Sequence, residues 1–283
     1  MPTSKKIGLI AGGGDLPQLV VTAARERGDQ VHVFAIKGFA DPNSFHVSAQ
    51  AVGITEISKV LRGLKDNGCT HIVMAGYVKR PDFKTLKPDM ASLKYLPNVV
   101  KAAAKGDDGL LRFLVETFAQ EGFEVLAPQD ICKHLLVPVG VLGKWVPKLQ
   151  HEEDIAKALR IARVAGAHDI GQGAIVVDGL VLAVEAQEGT DAMLARIVDL
   201  DADIRGNLKS RRGVLAKCLK PGQENRVDLP TIGPSTVTGA SKAGLAGIVL
   251  EAGRAFIIQR EDVIKRADEL GLFIIGKVVN KSE

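Results

Sequence analysis

The sequence predicts an α/β protein of two domains. An N-terminal parallel sheet covered by helices takes residues 1–134, a linker takes 135–148, and an α+β domain with two helix–hairpin–helix units takes 149–283. Three observations predict it. Short apolar runs alternate with helix-length stretches through the first half, which is the pattern of βαβ units. In the second half an Asp178-Gly179 pair separates two apolar runs, a strong two-residue hairpin turn. And 283 residues are long for one core but comfortable for two.

Taken in order, 7–11 is an apolar strand that runs into Gly12, Gly13, Gly14 and Asp15. Residues 16–27 are helical and stop at Gly28; 31–36 is the next strand, 54–67 a helix, 71–75 a strand, 110–121 a helix and 123–126 a strand. Strands spaced by helices in this way give a Rossmann-like sheet. The linker carries Pro138 and Pro147 around glycines. Beyond it come a helix at 152–165, the hairpin at 174–185 and a helix near 190–200. The order recurs as a helical stretch near 241–246, a hairpin at 247–259 and a helix at 261–270.

The glycine triplet is a place to hold phosphate, because glycines admit an anion close to the backbone and the next helix offers free N–H groups. As a dinucleotide fingerprint it fails twice. Pro17 stands where the third glycine belongs, and the second strand ends in Lys37-Gly38 with no carboxylate for a ribose. A mononucleotide or sugar-nucleotide site and a tight structural turn both stay open. Two more loops leave the same sheet edge. One carries Lys79 and Arg80, which could hold phosphate or form a solvated turn. The other carries Asp107 and Asp108, one read as a helix cap and the other as a metal or base partner.

The run 217–237, KCLKPGQENRVDLPTIGPSTV, holds Pro221, Pro230 and Pro234, so it reads as a stiff loop after a strand at 213–219. Lys217, Lys220, Arg226, Glu224 and Asp228 interleave their charges along it. Upstream, Thr190 reads as a helix cap, with Glu188 and Asp191 near the helix's positive end. Four carboxylates, Glu188, Asp191, Glu224 and Asp228, on two loops of one domain suit Mg²⁺, which takes one or two carboxylates plus substrate phosphate. The six histidines are scattered, which argues against zinc.

Composition excludes several classes. With 46% apolar and 25% charged residues the chain has no disorder signature. A net charge of +4 fits an anionic ligand or transient contact with an acidic membrane surface, without the basic stripe that nucleic acids require. Aromatics at 4% give no stacking platform for single strands. Cys69, Cys132 and Cys218 form no CxxC pair, so a reducing, cytoplasmic setting is expected. The apolar run behind Lys5 and Lys6 breaks at 12–15, too soon for a signal peptide or a membrane span.

The segments IAGGGDLP (10–17), GYVKRP (76–81), KGDDGLLR (105–112), LAVEAQEGTDAM (182–193) and KPGQENRVDLPTIGPSTV (220–237) resemble the LpxI-type UDP-2,3-diacylglucosamine pyrophosphatases of lipid A biosynthesis. The likeness runs through essentially the whole chain, and the last two segments are its most specific parts. It implies a two-domain, Mg²⁺-dependent hydrolase that yields UMP and 2,3-diacylglucosamine 1-phosphate (lipid X), water attacking the sugar-side phosphorus. It implies Asp228 as catalytic centre, either metal ligand or base. The chemistry adds Lys217 and Lys220 to neutralise phosphate oxygens, and Asp228 with Glu188 or Asp191 to bind Mg²⁺. Gly12, Gly13, Gly14 and Asp15 would receive the nucleotide half, with Lys79, Asp107, Thr190 and Gln223 also on the substrate. The expected setting is cytoplasmic, peripheral on the inner membrane, with no nucleic-acid partner and room for a homodimer. Two rivals stay open: a nucleotide-sugar oxidoreductase, and a non-catalytic nucleotide-sugar or lipid-carrier binding protein.

Overall fold

The computed structural model describes residues 4–79, 90–104, 106–222, 224, 226 and 229–279, without the side chains of Leu96 and Asp107. Two units divide them: 4–133 with Glu224 and Arg226, and 134–222 with 229–279.

In the first unit the chain forms β1 (Lys6–Ala11), α1 (Leu16–Glu26), β2 (Gln30–Ile36), β3 (Ala49–Val52), α2 (Ile57–Asp66) and β4 (His71–Ala75). It continues through α3 (Leu96–Ala103), α4 (Asp107–Gln120), β5 (Glu124–Leu126) and α5 (Pro128–Ile131). The strands lie in the order β3-β2-β1-β4-β5, every pair parallel. Helices cover the sheet, so its central strands read as continuous apolar runs; Ile7, Leu9 and Ala11 of β1 are fully buried. From β1 the chain winds outward through β2 and β3, then returns to place β4 and β5 on β1's other side. The carboxyl ends of β1 and β4 therefore flank the topological switch point, where open α/β sheets bind ligands. Strand β3 escaped the sequence reading because it spans four residues, only Val52 of them buried.

The second unit contains β6 (Gly140–Leu142), α6 (Glu152–Ala167), β7 (Gly173–Val177), β8 (Leu180–Val184), α7 (Gly189–Val198), α8 (Ala202–Arg205) and β9 (Val214–Lys217). Then follow β10 (Thr231–Ile232), α9 (Pro234–Lys242), β11 (Gly247–Glu251), β12 (Phe256–Ile257), α10 (Arg260–Leu270) and β13 (Phe273–Lys277). Six strands form a mixed sheet in the order β6-β13-β11-β9-β7-β8, and β10 pairs with β12 apart from it. Alternate residues supply its two cores. Ile175, Val177, Leu215, Ile248 and Ile274 face α7, α9 and α10, through Met193, Val237 and Val263. Ala174, Val176, Val214, Val249 and Ile275 face α6, through Ile155, Ala158 and Ala162.

The hairpin at β7–β8 forms as expected, with Asp178 and Gly179 both at positive φ. The one expected at 247–259 does not form. Strand β11 is buried along its whole length between β9 and β13, while β12 leaves for the small sheet. A strand buried on both faces pairs with neighbours across the sheet, and the residues at 251–254 are not a two-residue primed turn. The segment 135–148 is built into this unit: β6 pairs antiparallel with β13, and Val137 is 1% exposed.

Candidate functional site

At the switch point of the first unit, the glycine triplet engages the loop after β4. The Gly12 N–H donates to the Ala75 carbonyl at 2.8 Å, and Gly13 and Tyr77 exchange backbone hydrogen bonds at 2.8 and 3.0 Å. A Cβ on Gly12 would stand 2.6 Å from the Tyr77 carbonyl oxygen, and one on Gly76, at φ +90, would stand 2.6 Å from that of Gly13. These glycines thus let two backbones touch, and the amides of Gly12 and Gly13 donate to the carbonyls of Ala75 and Tyr77. What the edge presents outward is Gly14, Asp15, the start of α1, the exposed Tyr77 ring with Phe39 edge-on to it, and the exposed Lys79. Arg80 lies outside the described residues.

The Asp107/Asp108 motif opens α4 without capping it. Gly106, at φ +100, holds the N-cap position, and both aspartates fall in the first turn. The Asp108 carboxylate accepts from Arg112 at 3.0 Å and from the backbone N–H of Glu224 at 2.7 Å. Glu224, itself buried, holds Arg226 in a two-pronged pair at 2.8 and 2.7 Å. Those Arg226 bonds keep the Glu224 carboxyl below the usual range. An open cleft of 530 Å³ lies beside this network, lined by Asn98, Lys101, Asp108, Arg112, Glu116 and Gln120. Gln223 and Asp228, and the side chain of Asp107, lie outside the described residues.

In the second unit the carboxyl ends of β9 and β11 share one sheet edge with the start of β7 and the end of β8, as the register requires. Lys217 ends β9 there and is 3% exposed. Its ammonium donates to Thr190 Oγ1 at 2.6 Å and to the Thr231 carbonyl at 3.4 Å, and lies 3.8 Å from Glu185 Oε2. Thr190 Oγ1 in turn donates to Glu185 Oε1 at 3.0 Å. Glu185 Oε2 is buried with no hydrogen-bond partner among the described residues. Small residues make its berth: a Cβ on Gly173 would meet Glu185 Oε2 at 2.4 Å. On the same edge Glu251 Oε2 accepts from the Leu219 N–H at 3.0 Å, and Lys220 pairs with Asp169 at 2.8 Å.

Several expectations change here. Thr190 is not a cap; it sits inside the first turn of α7, and its hydroxyl joins the Lys217–Glu185 pair. Lys217, expected at the phosphate, is buried with its ammonium on Thr190 and near Glu185. Glu188 pairs with Arg196 at 3.1 Å. A backbone hydrogen bond and that pair hold its carboxyl below the usual range. Asp191 is exposed. Among the described residues no group of three His, Cys, Asp or Glu side chains is placed to hold a metal. Sequence reasoning missed Glu185, Glu251 and Asp169. Glu185 and Glu251 could have been found as carboxylates at the ends of otherwise apolar strands.

Comparison with known proteins follows the same division of the chain. The family described as "LpxI N-terminal domain" matches residues 6–135, and that described as "LpxI C-terminal domain" matches 138–275. A curated relative, UDP-2,3-diacylglucosamine pyrophosphatase LpxI of Caulobacter vibrioides, is 51% identical over 272 residues, covering 96% of this chain and 97% of the relative. Among solved structures, a CobK precorrin-6A reductase aligns at 13% identity and TM-score 0.34, over 98% of this chain and 90% of that one. A Thermus thermophilus UDP-glucose 4-epimerase with NAD aligns at 14% and TM-score 0.31, over 97% and 85%. Scores this low establish no shared fold.

Proposed function

The chain belongs to the LpxI family, and from that premise we propose that it hydrolyses the pyrophosphate bond of UDP-2,3-diacylglucosamine, in lipid A biosynthesis, to UMP and lipid X. The observation that carries this reading is the 51% identity spread over 96% of the chain, since so long a match spans both units and every motif singled out above.

Hydrolysis of a pyrophosphate needs its charge neutralised, a water aimed in line with the leaving phosphate, and a base for that water's proton. We assign the base, or the metal carboxylate, to Asp228. Shortly before it in sequence, the Asp108 carboxylate holds the Glu224 backbone N–H and Glu224 holds Arg226. The nucleotide half is assigned to Gly14, Asp15 and Lys79 at the switch point, with Asp107 and Gln223 as further contacts. Lys220 is the cation assigned to phosphate oxygens. Lys217 and Thr190 act as its rigid backing, because a buried ammonium tied to a hydroxyl and a carboxylate holds the strand end still.

Mg²⁺ is the proposed cofactor, drawing its ligands from substrate phosphate, water and one or two carboxylates, with Asp228 the first assigned. When bound, it would neutralise developing phosphate charge. The test is UMP release from UDP-2,3-diacylglucosamine with Mg²⁺, then with excess chelator, by the wild type and Asp228→Ala. Mg²⁺-dependent release that collapses in the variant supports the assignment. Release that survives the substitution removes Asp228 from the centre, and binding without any release favours a carrier.

A further inference from the structure

Six consecutive residues after β6, Lys144 to Leu149, place three large apolar side chains in solvent. Trp145 is 50% exposed, Val146 64% and Leu149 89%. Lys144 and Lys148, both exposed, alternate with them. Single exposed apolar side chains need no explanation, but several on one loop, set among cations, do.

The loop is held in this posture. The Lys144 N–H donates to Asp268 Oδ1 at 2.6 Å, and the Trp145 indole donates to the Asp268 carbonyl at 3.0 Å. Asp268 lies in the last turn of α10, where its carbonyl accepts from the Gly271 N–H at 3.4 Å as well as from the indole. The loop is therefore tied to the helix end, and the helix satisfies the indole's single donor. A tryptophan so satisfied can move its ring into an apolar medium without stranding an N–H. Gly143, at φ +87, makes the turn; a Cβ there would stand 2.6 Å from the Asp268 carboxylate.

We propose that residues 144–149 dock on the surface of an anionic phospholipid bilayer. Trp145, Val146 and Leu149 enter the boundary between headgroups and acyl chains, and Lys144 and Lys148 meet lipid phosphates. Charge complementarity selects this occupant: apolar tips bracketed by cations match a surface that is anionic outside and apolar within. The nearby carboxylates oppose it little. Asp268 is turned onto the Lys144 N–H and Glu152 is paired with Lys277 at 2.9 Å, while Glu153 is exposed. The inference rests on the assigned reaction only in that a diacylated substrate resides in a bilayer.

Trp145 is the one tryptophan in the chain, so its emission reports this loop alone. With vesicles of mixed phosphatidylcholine and phosphatidylglycerol, the emission should shift to the blue and be quenched by brominated acyl chains; phosphatidylcholine alone should do far less. Lys144→Gln with Lys148→Gln should weaken vesicle binding about 30-fold. Val146→Asn with Leu149→Asn should weaken it about tenfold, with emission in buffer unchanged as proof of folding. Unchanged emission on anionic vesicles overturns the proposal. So does a blue shift that follows protein concentration without lipid, which would mean a second copy covers the loop. The Val146/Leu149 variant should match the wild type on detergent-dispersed substrate and lag on vesicle-borne substrate. No UMP release by the wild type in detergent sinks the assigned reaction, and the emission result then stands by itself.

Discussion

Replacing Lys217 by Met removes an ammonium of similar length from a site that is 3% exposed and leaves the Glu185 carboxylate, 6% exposed, without its cation. Deleting one member of a buried pair costs about 3–5 kcal/mol, because the remaining charge stays desolvated. The separation here is 3.8 Å, and Thr190 Oγ1 still donates to the carboxylate, which argues for the low end, about 3 kcal/mol. Adding Glu185→Gln should restore at least half of that, since the surviving amide carries no charge. The assay is urea unfolding followed by the emission of Trp145, which lies in the same unit as Lys217, so the reading does not require both units to unfold together. The double-mutant cycle then gives the coupling. A Lys217→Met protein of wild-type stability that has lost turnover would refute the bracing role and make Lys217 a direct substrate contact. Additive single costs would refute the pairing with Glu185.

Burial keeps the His32 imidazolium unfavourable, so its folded pKa lies below the ordinary 6.5. The unfolded chain then binds more protons as pH falls below 6.5, and stability held above that value should be lost through the folded pKa. A plot of melting midpoint against pH should show this fall, and His32→Leu should reduce its slope without abolishing it, because burial lowers His71 and His151 too. Gly12→Ala puts a Cβ 2.6 Å from a backbone oxygen, which should cost about 1–3 kcal/mol in thermal unfolding; an unchanged midpoint would contradict the close approach of β1 and β4 loops. Burial pushes the Cys132 thiol up to about 11 and Cys218 higher still. Iodoacetamide at neutral pH should therefore leave the folded protein unmodified and label all three cysteines in denaturant, as mass spectrometry would show.

The first sheet was legible because parallel strands buried on both faces leave continuous apolar runs, as at 7–11 and 71–75. The hairpin at 173–184 was legible from Asp178-Gly179, whose turn type demands those residues. The false hairpin at 247–259 came from the same local logic applied where strand partners are distant, since β11 pairs with β9 and β13. Pro138 and Pro147 suggested a linker, but an edge strand such as β6 tolerates prolines at its flanks. In the run 217–237, Pro234 does not break a helix but starts α9 at its first position, where the missing N–H costs nothing. Site residues were legible as charged types in glycine-rich loops, not as partners. Thr190 reads locally as a cap, and only the sheet register brings Lys217 and Glu185 to it.

The most direct test of the central claim is product mass spectrometry after hydrolysis of UDP-2,3-diacylglucosamine in heavy-oxygen water. Attack on the sugar-side phosphorus predicts one heavy oxygen in the diacylglucosamine 1-phosphate and none in UMP. Label in UMP would contradict the assigned direction of attack, and the absence of both products would contradict the reaction itself.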